Sequence, residues 1–176
     1  MTSLAYFAYG SNMLPERLRA RCPSAAVAGA AAAPGFRVAF AKDSRDGSGK
    51  ATLLNADNAQ PGVLFRLAAD ELPALDAAEG ADYDRVEIAL SCGTRALTYI
   101  AKRPDLSLLP YDWYLALCVA GAARQALGEA LLGRLRAEPW RTDPLPVRPS
   151  RLIALRALSQ AGFADWRGLL TVPAAL

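Results

Sequence analysis

An α+β fold is predicted by the order of the patterns along the 176-residue chain. Short aromatic and β-branched runs, bounded by Gly, Pro, Asn and Asp, dominate as far as Ala101. Helical spacing of Leu and Ala dominates from Pro110 onward. Strands first and helices later, in a chain long enough for one core, is the signature of α+β architecture. The expected organisation is a single domain over residues 1–176, with 138–176 as a C-terminal extension.

Leu4 to Tyr9 reads as the first strand, and Gly10-Ser11-Asn12 as a turn. Asn12 is placed to cap a helix from Met13 to about Arg21, with Pro15 and Glu16 in its first turn. Ala25 to Ala33 is apolar. Gly29 and Pro34-Gly35 argue against a helix there and favour a strand or loose packing. Phe36 to Phe40 is a strand, Lys42 to Lys50 a mobile polar loop, and Ala51 to Asn55 a short strand. Ala56 to Pro61 reads as a turn and Gly62 to Leu67 as a strand. Asp70 opens a helix that ends at Glu79, with Gly80 as its stop. Arg85 to Ser91 and Arg95 to Ala101 form a hairpin around Cys92-Gly93-Thr94. Helices follow from Asp112 to about Gly121, from Leu127 to Arg136, and over Leu152 to Leu158. The proline-rich stretch from Glu138 to Pro149 is irregular.

Composition narrows the chemistry. The chain has no histidine, which removes Ser-His-Asp and Cys-His catalysis and most zinc and iron sites. Its three cysteines, Cys22, Cys92 and Cys118, are scattered without metal spacing and suit reduced thiols in a cytoplasm. No metal and no cofactor is expected. The apolar stretch from Tyr114 to Ala123 is too short for a membrane span, and no signal peptide is visible. The formal net charge is +3, spread along the chain. Arg17, Arg19 and Arg21 read as a solvated helix face rather than a nucleic-acid surface, which wants a concentrated basic patch.

Two segments carry chemical content. Amides at a turn that opens a helix have no helical partner and suit an anion. In Gly10-Ser11-Asn12, glycine lets a ligand approach closely, and Ser11 and Asn12 add side-chain donors. The turn is too short for a phosphate loop and lacks its lysine, so a single carboxylate fits best. The same residues also make an ordinary strand-turn-helix connection with Asn12 as cap. The second segment is Leu75 to Gly80. On a helical wheel Glu79 falls between Leu72 and Leu75, on the core-facing stripe and at the helix C-terminus. Burial and the dipole both raise a carboxylate pKa there, which marks a candidate base. The other reading is a side chain that bends past Gly80 into solvent.

Taken together, these segments resemble the gamma-glutamylcyclotransferase family. The aromatic strand ending in Tyr-Gly-Ser-Asn appears as Tyr6-Phe7-Ala8-Tyr9-Gly10-Ser11-Asn12-Met13. The Leu-Asp-x-x-Glu-Gly segment appears as Leu75-Asp76-Ala77-Ala78-Glu79-Gly80, followed by Tyr83. Lys50 to Leu53 and Pro61 to Leu67 look like the family's middle strands, and Tyr114 ahead of Gly121-Ala122 like its helix. The resemblance spans roughly residues 4 to 135. It implies a mixed β-barrel flanked by helices and cyclisation of a γ-glutamyl amide to 5-oxoproline. By the same match Glu79 is the general acid/base, Tyr9, Gly10, Ser11 and Asn12 hold the glutamyl group, and Tyr114 lines the pocket. The implied partner is a small γ-glutamyl substrate.

Gly10-Ser11-Asn12 is closer to enzymes acting on γ-glutamyl amino acids than to relatives with Gly-Ser-Leu or Gly-Thr-Leu. Two alternatives stay open: removal of a γ-glutamyl cap from a polyamine or natural-product amine, and a binding protein without turnover. A Ser11 nucleophile has no activating base in the local sequence. The extension with Trp140 and Trp166 covers the barrel, shapes the acceptor pocket or mediates self-association as a homodimer.

Overall fold

The computed structural model describes residues 2–171. Its centre is a five-stranded mixed sheet with strand order β2-β3-β1-β5-β4. The strands are β1 (Ser3–Ala8), β2 (Ala26–Asp43), β3 (Gly49–Ala68), β4 (Tyr83–Ala89) and β5 (Arg95–Ala101). β1 pairs antiparallel with β3 along its whole length and parallel with β5 at Tyr6 and Leu97. The helices are α1 (Pro15–Arg19), α2 (Leu72–Glu79), α3 (Asp112–Arg124), α4 (Glu129–Ala137) and α5 (Pro149–Gln160). None of the described helices is long and apolar enough to cross a membrane.

The middle of the chain departs from its sequence pattern. Instead of four short strands, a loop and a turn, residues 26–68 form one long hairpin of β2 and β3. The turn-forming residues are spent inside the ladder. Pro34 faces Ala59 and Phe36 faces Asn55, so Gly35 alone stands opposite Ala56, Asp57 and Asn58. Gly35 has φ +81, a conformation that costs other residues dearly, and the hairpin bends there without breaking. The segment read as a mobile loop begins and ends in pairing, Lys42 with Lys50 and Asp43 with Gly49.

Bending of this kind curls the sheet, as the expected barrel requires, but the sheet does not close. The edges β2 and β4 are not paired in the ladder. Just beyond β4, Ser91 N–H donates to Ala32 O at 2.9 Å. At the other end Asp105 N–H, beyond β5, donates to Ala41 O at 2.7 Å. Closure would need a continuous run of such bonds. The architecture is therefore a curled mixed sheet flanked by helices.

α3 organises the helical side. Every residue from Asp112 to Ala122 is buried, as expected of a helix apolar on all its faces. It runs past Gly121, where the sequence suggested a stop, to Arg124. Gly121 is instead a contact. A Cβ there would lie 2.7 Å from both Leu14 N and Met13 Cβ. The extension is tied to the same helix. Asp112 N–H donates to Arg141 O at 3.0 Å, and Trp113 Nε1 donates to Asp143 Oδ2 at 2.9 Å. Asp143 in turn holds Arg148 at 2.8 Å.

One consequence is testable. Gly121→Ala places a methyl against main chain that has no freedom to retreat, so stability should fall by about 1–3 kcal/mol, the usual range for overpacking. Urea unfolding measures it. An unchanged midpoint would show that the turn at Met13–Leu14 is loosely held.

Candidate active site

β1 delivers its last residues into a turn that differs from the sequence expectation. A single 3-10 turn covers Ser11–Met13, closed by Met13 N–H to Gly10 O (3.0 Å) and Leu14 N–H to Ser11 O (3.3 Å). Leu14 is extended, and α1 starts only at Pro15 and lasts five residues. Asn12 therefore caps no helix. The expected helix from Met13 is displaced by two residues because Pro15 takes its N1 position. The amides of Ser11 and Asn12 open the 3-10 turn and have no acceptor within it. Any anion site here rests on those amides and the Ser11 hydroxyl, not on a helix dipole. Gly10 is required by packing: a Cβ would lie 2.7 Å from Ala51 Cβ.

The Asn12 side chain turns inward. Its Nδ2 donates to Tyr6 Oη and to Glu79 Oε1, both at 2.9 Å, and its Oδ1 accepts from Arg21 Nη1 at 3.2 Å. Glu79 closes α2, and Gly80 beyond it turns the chain at φ +87. Leu75 is fully buried, and the Glu79 side chain is only 15% exposed, so it stays inside rather than bending to solvent. It is not isolated, however. Arg21 Nη1 lies 2.6 Å from Glu79 Oε1. Sequence reasoning missed this ion pair because it assigned Arg17, Arg19 and Arg21 to a solvated face. Arg17 is 8% exposed and the Arg21 side chain 18%.

Glu79, Tyr9, Gly10, Ser11, Asn12 and Tyr114 all line one narrow pocket of about 30 Å³. Four more residues complete it: Tyr6, Tyr83 and Tyr99 with Ala51. Tyr6 and Tyr83 were visible beside the two motifs. Tyr99 lies in a strand with no signal of its own. Glu79 is the one carboxylate of the lining, and five tyrosines surround it.

Their hydroxyls are engaged by the frame. Tyr9 donates to Tyr99 O, Tyr83 to Ala51 O at 2.5 Å, and Tyr99 to Asp76 Oδ1 at 2.7 Å. Tyr114 accepts from Ala51 N–H at 3.1 Å. Burial, and behind it neighbouring charges such as Glu79, pushes all five hydroxyls above the ordinary tyrosine value. They remain neutral at any physiological pH. Burial likewise raises the thiols of Cys22, to about 11, and Cys118, so neither is a ready nucleophile. Among the described residues, no group of three or more His, Cys, Asp and Glu side chains could hold a metal.

The pocket shares Ser11, Glu79, Tyr83 and Tyr114 with a larger chamber of about 320 Å³. Any substrate that reaches Glu79 must therefore place most of its bulk in that chamber.

Comparison with known proteins bears on this geometry. The chain superimposes on an uncharacterized protein from Homo sapiens with a TM-score of 0.79 and 25% identity, over 89% of this chain and 99% of that one. A solved structure named gamma-glutamyl cyclotransferase gives a TM-score of 0.76 at 25% identity, over 88% of this chain and 99% of that one. YkqA from Bacillus subtilis shares the fold, with a TM-score of 0.64 at 21% identity, over 80% of this chain and 56% of that one. No curated protein matches in sequence. Residues 6–116, well over half of the chain and inclusive of both pocket-forming segments, match the family described as gamma-glutamyl cyclotransferase, AIG2-like, and the chain belongs to that family.

Proposed function

We propose that the pocket cyclises the γ-glutamyl amide of an amino acid or other amine to 5-oxoproline and releases the free amine, with Glu79 as base and then acid. The observation that carries this reading is the single carboxylate of a tyrosine-lined pocket, held in place by Asn12 and Arg21. The reaction suits so sparse a site. The substrate brings its own nucleophile, the α-amine, and its own electrophile, the γ-carbonyl. Folding the chain so that they meet supplies much of the rate, up to about 7–11 kcal/mol of barrier in favourable intramolecular cases.

The steps follow from the charges. The α-amino-acid end of the substrate is a zwitterion. Its ammonium pairs with Glu79 and its carboxylate with Arg21 or the Ser11 and Asn12 amides, so the substrate replaces one ion pair with two. Glu79 accepts a proton from the ammonium, whose ordinary pKa is about 8. The freed amine attacks the γ-carbonyl and forms the new C–N bond of the five-membered ring. Turn amides or neutral tyrosine hydroxyls stabilise the developing oxyanion. Protonated Glu79 then donates to the departing nitrogen as the old amide bond breaks. Glu79 then takes the second proton from the ring nitrogen, which becomes the lactam N–H, and passes it to the released amine, which departs as an ammonium; no water or cofactor is consumed.

Glu79→Gln retains volume and the contact from Asn12 but not the base, so turnover should fall by about 10²–10⁴-fold. Release of 5-oxoproline from γ-glutamyl-alanine measures this, and a variant within a few-fold of wild type would remove Glu79 from the role. The Ser11 hydroxyl should contribute about 1.5–3 kcal/mol if it bonds to a charged group. Ser11→Ala should therefore weaken γ-glutamyl-alanine, yet weaken an analogue without the α-carboxylate much less. Equal losses for the two compounds would place the α-carboxylate elsewhere. Activity should also survive exhaustive dialysis against a chelator; restoration by one specific metal after a loss would overturn the proton-transfer scheme.

A further inference from the structure

The chamber beside the pocket has a charge the cyclisation step does not use. Besides Arg21, four cationic side chains line it: Arg17, Lys42, Arg45 and Lys50. Its two carboxylates are already committed. Glu79 is held by Arg21, and Asp46 accepts from Lys50 Nζ at 2.9 Å and from the Ser48 hydroxyl at 2.7 Å. Lys42 has Asp82 at 3.9 Å. Arg17 has no such partner among the described residues. It is 8% exposed, and its Nε makes no hydrogen bond among the described residues. Burial, with the nearby charge of Arg21, pushes its pKa down to about 10.

A buried guanidinium without a partner is a rare and unfavourable arrangement. Lys50 is nearly as enclosed. Its ammonium lies 4.6 Å from the ring centres of both Trp113 and Tyr114. Burial lowers its pKa against the support of Asp46, and the positive charge of Arg17 adds to the effect. Two cations that repel each other, one of them unpaired, thus face a space of about 320 Å³ next to the proposed base. An anion in that space relieves both.

We infer that Arg17, assisted by Lys50, binds a carboxylate on the amine half of the substrate. This rests on the cyclotransferase reading and narrows it. The released amine then belongs to the amino acids or peptides, and a polyamine is excluded by the same field. Arg17 supplies a forked donor set suited to a carboxylate, and Trp113 and Tyr114 give the intervening carbons an apolar wall.

The experiment compares three substrates of the wild-type protein by kcat/KM for 5-oxoproline release. γ-Glutamyl-alanine carries the carboxylate, γ-glutamyl-ethylamine lacks only that group, and γ-glutamyl-putrescine replaces it with a cation. A charge-assisted contact predicts that the alanine compound exceeds the ethylamine compound by about tenfold or more, chiefly through KM, with putrescine slowest. Arg17→Met should collapse the alanine-to-ethylamine ratio, and Arg17→Lys should restore part of it. Equal rates for the first two compounds in wild type, or an Arg17→Met variant that slows all three alike, would overturn the subsite. If no compound yields 5-oxoproline, the cyclisation reading fails by itself. Calorimetry on the wild-type protein then decides the subsite: tighter binding of the alanine compound than of the ethylamine compound supports it, and equal or undetectable binding overturns it.

Discussion

The site depends on how closely three main-chain segments approach one another around the turn after β1. Gly10 lies against Ala51 of β3 on one side, where a Cβ would come within 2.7 Å. Gly121 of α3 lies against Met13 and Leu14 on the other, with the same clearance. Met13 and Leu14 are wholly buried between them. A segment clamped on both sides by missing side chains has one position, and the side chains that radiate from it have one origin. Tyr9, Ser11 and Asn12 are aimed by that clamp. The length and burial of α3 matter to the chemistry for this reason, although only Trp113 and Tyr114 of α3 line the pocket or its chamber.

Within the pocket, Asn12 is the junction. Both donors of its amide are used, to Tyr6 and Glu79, and its oxygen takes Arg21. An amide so fully engaged has a single orientation. It fixes the Glu79 carboxylate by a neutral hydrogen bond, while Arg21 supplies the opposite charge at the same oxygen. The tyrosines contribute polarity without charge. The site thus separates into a neutral, hydroxyl-lined pocket with one carboxylate and a cationic chamber beside it. A substrate with an ammonium near the reacting carbonyl and a carboxylate at its far end matches that separation.

Much of this was legible from the residues. Aromatic alternation gave β1, the Gly93 turn gave the β4–β5 hairpin, and a helical wheel put Glu79 on the inner face of α2. The long hairpin was not legible. Gly35, Asn58 and Pro61 are turn residues by any local rule, and only pairing between distant segments turns them into a bend within a ladder. Arg17 and Arg21 were misread for a related reason. A wheel needs several turns to define a face, and α1 has five residues, pressed from outside by elements far along the chain. Tyr99 was hidden because β5 is covered on both faces. Thr98, Tyr99 and Ala101 are all buried, so no alternation marks which side chain enters the site.

The Arg21–Glu79 pair and Arg17 show two ways of holding a charge beside the pocket. A buried carboxylate without a partner would be costly, and Arg21 supplies one at 2.6 Å. In the proposed reaction an arriving zwitterion would exchange partners with this pair at nearly constant charge. Among the described residues, Arg17 Nε has no hydrogen-bond partner to displace. Most of its surface is already withdrawn from water, so a carboxylate that reaches it gains a contact without first breaking another. Pre-organisation of this kind favours binding at Arg17 over binding at Arg21 for the same contact geometry. The amine half, anchored in the open chamber, would then steer the glutamyl end into the narrow pocket where Glu79 waits.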